Sequence, residues 1–414
     1  MTRRAPVYRW IFDEAAGQRE AIRVGELTQE ASRWEFRYDR AYLQLGPKAW
    51  ELDPTGIRTK QSSTYTQVGV LPHPVFCEVA VSGWALEALK QRGRVKVPMA
   101  EGDEPWGWWE RLVHAPADGF GALFVGEPDS KVALDAMLRA ELRETARHTV
   151  AYGRESSSGV MGGERPKLPL YLPSIDGEVP EEAVLLKFAM SNERSDSVVA
   201  EASALSLGDA LGLTVPAHRV SWYADKPALR IERFDRGPGI QGKVFHCVSA
   251  ATALGLHPGT LPEDPRRSYV HLRSKLRRPG DGLELYKRIV LNAVVGNTDD
   301  HPWNTSLRQQ GLGDWELSPL YDVMPFFNRS GRPVFRMAIT NRNERTGSVA
   351  NLISAARALA GLKQDEALQI IEHTTSFVRQ NWRETFEMHA QGHLSPSTVQ
   401  EWKRVFEYEW GASS

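Results

Sequence analysis

The chain has 414 residues, 41% hydrophobic and 25% charged, a balance that suits two or three globular domains and excludes disordered, collagen-like and coiled-coil chains. Its 51 Lys and Arg against 52 Asp and Glu leave a net charge of −1, so no global basic field draws it to nucleic acid or an anionic membrane. The two cysteines, Cys77 and Cys247, make neither a metal-spaced pair nor a disulfide framework, as expected of a reducing compartment.

The start, Met1-Thr2-Arg3-Arg4, is like a signal n-region, but charge breaks VYRWIFDEAAGQRE before an apolar stretch forms. No apolar run reaches the ~18 residues of a membrane span, so a cytoplasmic protein with no membrane partner is expected. The first 125 or so residues are rich in Trp, Tyr and strand-like runs such as 7–12 and 34–38, with turns expected at Gly17, Gly25 and Gly46-Pro47. Residues 84–90 read as a short helix and 102–110 (GDEPWGWWE) as a loop. Ser130 caps an expected helix over 131–150, in which Val132, Leu134, Met137, Leu138 and Leu142 approximate helical spacing. Residues 153–167, GRESSSGVMGGERPK, form a Ser/Gly loop by composition.

From Glu182 the pattern changes. Residues 183–190 (AVLLKFAM) read as a buried strand, 196–211 as a helix with Asp196 at its N-cap and Gly212 as its stop, and 227–235 (PALRIERFD) as a second strand. A basic, polar connection is expected over 266–281, a helix over 283–295 ending at Gly296, a hairpin over 306–318 turning at GLGD, and helices from 349 onward. This order is α+β rather than a regularly alternating parallel sheet.

The chemistry concentrates in Asn297-Thr298-Asp299-Asp300-His301-Pro302-Trp303-Asn304, directly after a buried helix, and in Leu317-Ser318-Pro319-Leu320-Tyr321-Asp322-Val323, beyond the hairpin. An acid among apolar neighbours, as at Asp322, needs a partner, and a divalent cation is one. Phosphoryl transfer from ATP uses such a set: one Asp takes the proton of the attacking hydroxyl, while an Asn and a second Asp hold Mg2+. Asp299 and Asn304 are five positions apart, as in the kinase pattern D-x-x-x-x-N. Read singly, each of these residues is an ordinary turn residue; their joint order favours the catalytic reading.

Three further pieces join them. Lys187 is the only charge in its strand and must reach an anion or snorkel to water; nucleotide phosphates would serve, with Glu201 on the next helix orienting it. Gly162-Gly163-Glu164-Arg165-Pro166-Lys167 allows close approach of backbone N–H groups to phosphate, although it is neither a Walker A loop nor G-x-G-x-x-G. In 229–236 (LRIERFDR), alternation sets Ile231 and Arg233 opposite Glu232 and Phe234. That strand end is either a hinge whose backbone pairs with adenine while Phe234 packs on the ring, or an ion-paired edge strand.

In this order the pieces resemble the HipA family of bacterial serine/threonine kinases, toxins of type II toxin–antitoxin systems. WEFRYDRAYL and AWELDP are similar to its N-terminal subdomain, GGERPK to its phosphate loop, LLKFAM, AEASALSLGDALGLTVP and RIERFDR to its lysine strand, helix and hinge, and NTDDHPWN and LSPLYDV to its catalytic and metal loops. The resemblance implies a two-lobed, protein-kinase-like core related to lipid kinases. It places a β-rich subdomain at 1–125, an N-lobe at 126–235 and a mostly helical C-lobe at 236–414. It implies ATP and Mg2+ as cofactors, Asp299 as the catalytic base, and Asn304 and Asp322 as metal ligands. Gly162, Gly163, Lys167 and Lys187 would meet the phosphates, and Glu232 and Phe234 the adenine. It further implies a protein substrate, with translation components as the family's known kind of target, and a HipB-like helix-turn-helix antitoxin through which nucleic acid is met only indirectly. Two departures stand out: the family's loop serine, often autophosphorylated, falls at Val160 with Ser156, Ser157 and Ser158 out of register, and AVSGWAL replaces an acidic stretch around 81–86.

Two other functions fit parts of the pattern. A metal-dependent phosphohydrolase would use Asp299, Asp300, His301 and Asp322 as ligands. A catalytically silent regulator would keep the fold and bind a partner, with RRSYVHLRSKLRR touching nucleic acid or simply forming a solvated face.

Overall fold

The computed structural model describes residues 2–59, 63–82, 86, 106–129, 167–172, 181–189, 193–223, 226–328 and 330–410. Outside them lie the expected helix over 131–150, nearly all of that over 84–90, and the loop that carries Gly162 and Gly163.

Strands β1 (Thr2–Asp13), β2 (Gln18–Glu30), β3 (Arg33–Tyr38), β4 (Thr64–Val68) and β5 (Leu123–Val125) form an antiparallel sheet in the order β4-β3-β2-β1-β5. Alternation works as the sequence implies: Trp34, Phe36 and Tyr38 of β3 face inward, and Phe36 meets Phe76 at 5.4 Å between ring centres. Gly25 is not a turn. It lies within β2 beside a register shift at Val7/Tyr8, where a Cβ would collide with the Arg37 carbonyl and the Phe36 ring. The aromatic stretch near 102–110 is not all loop either, because Trp108–Val113 is a helix.

The second sheet contains β6 (Lys167–Leu172), β7 (Glu182–Phe188), β8 (His218–Tyr223) and β9 (Lys226–Glu232), in the antiparallel order β6-β7-β9-β8. Helix α1 (Ser197–Ala210) packs on β8 and β9 and is buried along most of its length. Asp196 stands at its N-cap but makes no capping bond; its carboxylate instead receives the Arg194 guanidinium and the Trp402 indole N–H. The strand expected to run to Asp235 ends at Glu232, and the chain turns there.

The remainder comprises a small sheet, β10 (Cys247–Ser249), β11 (Ser306–Gly311) and β12 (Asp314–Leu317), and four helices: α2 (Asp281–Val295), α3 (Val349–Ala360), α4 (Gln364–Ala390) and α5 (Pro396–Phe406). Helix α2 is the hub. Leu285, Ile289, Val290 and Leu291 are fully buried, each worth about 1.5–3 kcal/mol of apolar transfer, and the helix stops at the left-handed Gly296. Helix α4 lies against both α1 and α2, tying the two lobes together. The 266–281 connection is not simply polar and solvated: Ser268 caps a short helix, Tyr269–Arg273, and Tyr269, Leu272 and Leu276 are core residues. Among the described residues no helix is long and apolar enough to cross a membrane.

Between the lobes, the turn after β9 is clamped to the N-terminal subdomain. Arg233 and Arg236, each 4% exposed, share Asp235 and Asp118 and donate to the carbonyls of Gly119 and Gly121, while the Gly121 N–H donates to Asp235 at 2.9 Å. Such buried guanidinium–carboxylate sets hold only when their polar atoms are matched, as here.

Candidate active site

Two strands bring two lysines to one place. Lys167 on β6 and Lys187 on β7 are direct cross-strand partners, so their side chains leave the same face of the sheet. Like charges opposite each other repel unless an anion lies between them. Asp322 fills that role: its Oδ1 is 2.6 Å from Lys187 Nζ and its Oδ2 4.0 Å from Lys167 Nζ. Glu201, on the buried face of α1, meets Lys187 Nζ at 2.5 Å. Burial alone would depress the Lys187 ammonium, but the Asp322 and Glu201 carboxylates outweigh it and hold its pKa above the ordinary lysine value. Asp322 itself has a backbone φ of +60°, uncommon for a non-glycine residue, the kind of local strain that collects at functional sites.

The loop after α2 divides its acids. Asp299 points outward, its side chain 64% exposed, and Oδ1 accepts from Arg336 Nε at 3.0 Å. Asp300 turns inward, where the Tyr269 hydroxyl and Asn292 Nδ2 donate to its Oδ2. Asn292 in turn accepts from Asn297 at 3.1 Å. Burial pushes the Asp300 pKa up to about 6. Backbone bonds from His301 N to the Asp299 carbonyl (2.8 Å) and from Asn304 N to the His301 carbonyl (2.8 Å) wind the loop, and Asn304 Nδ2 donates to the Asp299 carbonyl at 3.2 Å. Asp299 and Asn304 therefore sit on one tight turn.

His301 links this turn to the lysine cluster. It lies within electrostatic range of Asp299, Asp322 and Lys167, and burial lowers its pKa against the pull of the two acids. Tyr321 fastens the loops together: its hydroxyl bonds to Ser306 Oγ at 2.6 Å and donates to the Trp303 carbonyl at 2.9 Å. Its ring lies 5.4 Å from Phe234, which meets Phe120 of the N-terminal subdomain at 6.1 Å. Phe234, just past the end of β9, therefore lies beside the residue that precedes Asp322. The N–H groups of Glu232 and Arg233 are already bonded to the carbonyls of Ala217 and Ala183, and the Phe234 carbonyl accepts from Arg308 at 3.2 Å. What this end offers a flat base is chiefly the Phe234 ring.

Among the described residues no three His, Cys, Asp or Glu side chains gather into a metal-holding group. Asp322 and Asn304 nevertheless suit Mg2+, a hard cation that keeps several waters and needs only one or two carboxylates with neutral oxygen donors. Asp300, whose Oδ2 is held by Tyr269 and Asn292, is a scaffold for the loop. Glu201 was legible from the sequence as the orienter of Lys187. Arg336, Tyr321 and Phe120 were not, because only tertiary folding brings them to Asp299 and Phe234; the Tyr321–Asp322 adjacency was the one local hint.

A family model for the HipA-like C-terminal domain matches residues 159–382. Over 191 residues the chain is 30% identical to a curated protein of Sinorhizobium fredii described as "Putative kinase Y4mE"; the aligned stretch covers 42% of this chain and 43% of that relative, so it spans less than half of the relative's length. Among solved structures, the chain resembles one from the Shewanella oneidensis MR-1 toxin–antitoxin complex of HipA, HipB and operator DNA. The TM-score is 0.63 at 16% identity, over 97% of this chain and 96% of that one, a likeness of fold.

Proposed function

The chain belongs to the family of HipA-like C-terminal domains, and from that footing we propose that it is an ATP- and Mg2+-dependent protein serine/threonine kinase of the toxin type. The observation that carries this reading is the meeting of Lys187 with Glu201 and Asp322, at 2.5 and 2.6 Å, beside the Asp299–Asn304 turn. This is the division of labour that phosphoryl transfer from a nucleotide requires.

In this reading the nucleotide supplies the phosphoryl group and Mg2+ offsets its charge, with Asp322 and Asn304 as the protein's metal ligands. Lys187 and Lys167 present positive charge to the phosphates, and Glu201 keeps Lys187 extended. Gly162 and Gly163, just before β6, add backbone N–H groups. Phe234 packs on the base, with Glu232 beside it. Asp299, exposed at the mouth of the cleft, accepts the proton of the attacking serine or threonine hydroxyl. The phosphohydrolase alternative needs Asp300 at the metal, and Asp300 is engaged by Tyr269 and Asn292 instead. A HipB-like partner, as in the Shewanella complex, belongs to the same proposal.

The test is transfer of labelled phosphate from γ-labelled ATP to protein in a lysate, with Mg2+. Transfer is expected with the natural chain and lost with Asp299→Asn and with EDTA. Absence of both nucleotide binding and transfer refutes the reading.

A further inference from the structure

Beside the outward-facing Asp299 lies a group of arginines that the phosphate and metal roles do not use. Residues 334–346 fold back on themselves: Val334 bridges Thr346, the Phe335 N–H donates to the Arg345 carbonyl at 2.9 Å, and the Ile339 N–H to the Glu344 carbonyl at 2.8 Å. The Ala338 N–H donates to the Arg267 carbonyl at 2.8 Å, and Ser268 pairs with Ala338. The backbone thus gathers Arg267, Arg336 and Arg345.

Arg267 is only 8% exposed. Its guanidinium carbon lies 5.5 Å from the ring of Trp303, inside the catalytic turn, and its Nη2 donates to the Thr260 carbonyl at 2.5 Å, yet its Nε is enclosed without a partner. Arg345 Nη2 is likewise enclosed without a partner. Arg336 reaches Asp299. Burial and the neighbouring Arg345 hold the Arg267 pKa below the ordinary arginine value, with Arg336 adding to the repulsion. The nearby Asp264 is engaged by Arg266, at 3.0 and 2.8 Å. Gathering like charges and enclosing unmatched N–H groups are both unfavourable, and one bound anion relieves both. The planar fork of arginine suits a carboxylate or a phosphomonoester. An extended nucleic-acid surface is a poorer match, because Arg267 is recessed under Trp303 and the chain has no overall basic field.

We propose that Arg267, Arg336 and Arg345 form an acceptor-side anion site, receiving an acidic or phosphorylated side chain that flanks the hydroxyl facing Asp299. The preferred substrate segments are then serine or threonine stretches with negative charge close by. This inference rests on the kinase reading of the same cleft and names its substrate class.

The experiment uses the full chain with Mg2+ and ATP and four synthetic serine peptides, flanked by Asp and Glu, by phosphoserine, by Ala and Gln, or by Lys. Two quantities are read: kcat/KM for each peptide, and binding of fluorescent versions by anisotropy, which needs no turnover. The anionic peptides are expected to bind about tenfold or more tightly than the neutral one, a difference of one decade in Kd. The carboxylate and phosphoserine arms identify which anion is preferred. Arg345→Gln and Arg336→Gln, both outside the core, should collapse the anionic-to-neutral ratio toward one; Arg267→Lys tests the buried member. The ratio is the readout, so a general loss of activity does not imitate the effect. Equal binding of all four peptides, a preference that survives Arg345→Gln and Arg336→Gln, or tight binding of an oligonucleotide with no choice among peptides overturns the inference. Selective anionic binding without ATP turnover would overturn the kinase reading while leaving the anion site standing.

Discussion

Replacing Lys187 by methionine isolates the contribution of the cleft's central cation. Lys187 is 3% exposed and Glu201 2% exposed, with Nζ between two carboxylate oxygens at 2.5 and 2.6 Å. Removing one partner of a buried ion pair costs about 3–5 kcal/mol, because the remaining charge keeps its desolvation penalty. Asp322 is 19% exposed and 4.0 Å from Lys167, so it has another cation to turn to, and the loss should lie near 3 kcal/mol. With an unfolding entropy of about 2 cal/mol/K per residue over the whole chain, a shift of about 1 °C per kcal/mol, this lowers Tm by about 3–4 °C. Lys187→Met/Glu201→Leu should recover part of the loss, since well-packed apolar replacements of buried pairs are often neutral. The pH dependence has a definite sign. The folded-state pKa of Lys187 is raised above 10.5, so its pairing stability is complete below about pH 10.5 and drains as pH rises through the folded value; the methionine variant lacks that decline. Thermal and urea unfolding by circular dichroism, with nucleotide absent, provide the measurement. A methionine variant within about 1 kcal/mol of the natural chain, or one that transfers phosphate at an unchanged rate, refutes the reasoning.

Asp300→Asn tests the inward acid. A pKa raised from 3.8 to about 6 means that the folded chain binds the extra proton between those values, so stability falls by about 3 kcal/mol as pH climbs through that window. The asparagine variant cannot ionise and should gain on the natural chain over the same range; parallel Tm-versus-pH curves would contradict this. Asp299→Asn, at an exposed position, should change unfolding stability by no more than about 0.5 kcal/mol while removing transfer. Gly121→Ala should destabilise by about 1–3 kcal/mol and raise the KM for ATP. Gly121 has φ +73°, and a Cβ there would come within 2.9 Å of the Cys247 carbonyl oxygen beside the Phe120–Phe234 contact. Unaltered melting and KM would show that the contact has no such role.

Local patterns announced the parts of this fold that local forces decide. The apolar run around Lys187 forms β7, the periodic stretch ending at Gly296 forms α2, and the Gly-containing turn before Asp314 joins β11 to β12. Lys187 and Glu201 could be paired in advance because a charge in an apolar setting must find a partner, whereas Asp322 was matched with a divalent cation and its ion pair with Lys187 emerges only in the folded chain. Where composition was the guide, it misled. Gly25 looked like a turn but relieves crowding inside a strand, and the arginine-rich 266–281 stretch looked solvated but anchors Tyr269 and Leu272 in the core. The division between Asp299 and Asp300 was invisible, since it depends on Tyr269 and Asn292, residues brought near only by the packing of α2. The resemblance to HipA kinases drew attention to the two acidic loops but carried nothing about Arg336 or Arg345.

The salt-bridged knot at Arg233 and Arg236 bears on how the chain can be dissected. Its acceptors, Asp118, Gly119 and Gly121, come from the first 125 residues. A shortened chain that begins after them would leave two guanidiniums in an apolar seam with half their acceptors missing, next to the face that Phe120 normally shields. Such a fragment should aggregate on expression rather than behave as a minimal catalytic unit, so deletion mapping would overstate the importance of the missing subdomain for chemistry. Point substitutions in the intact chain are the safer instrument.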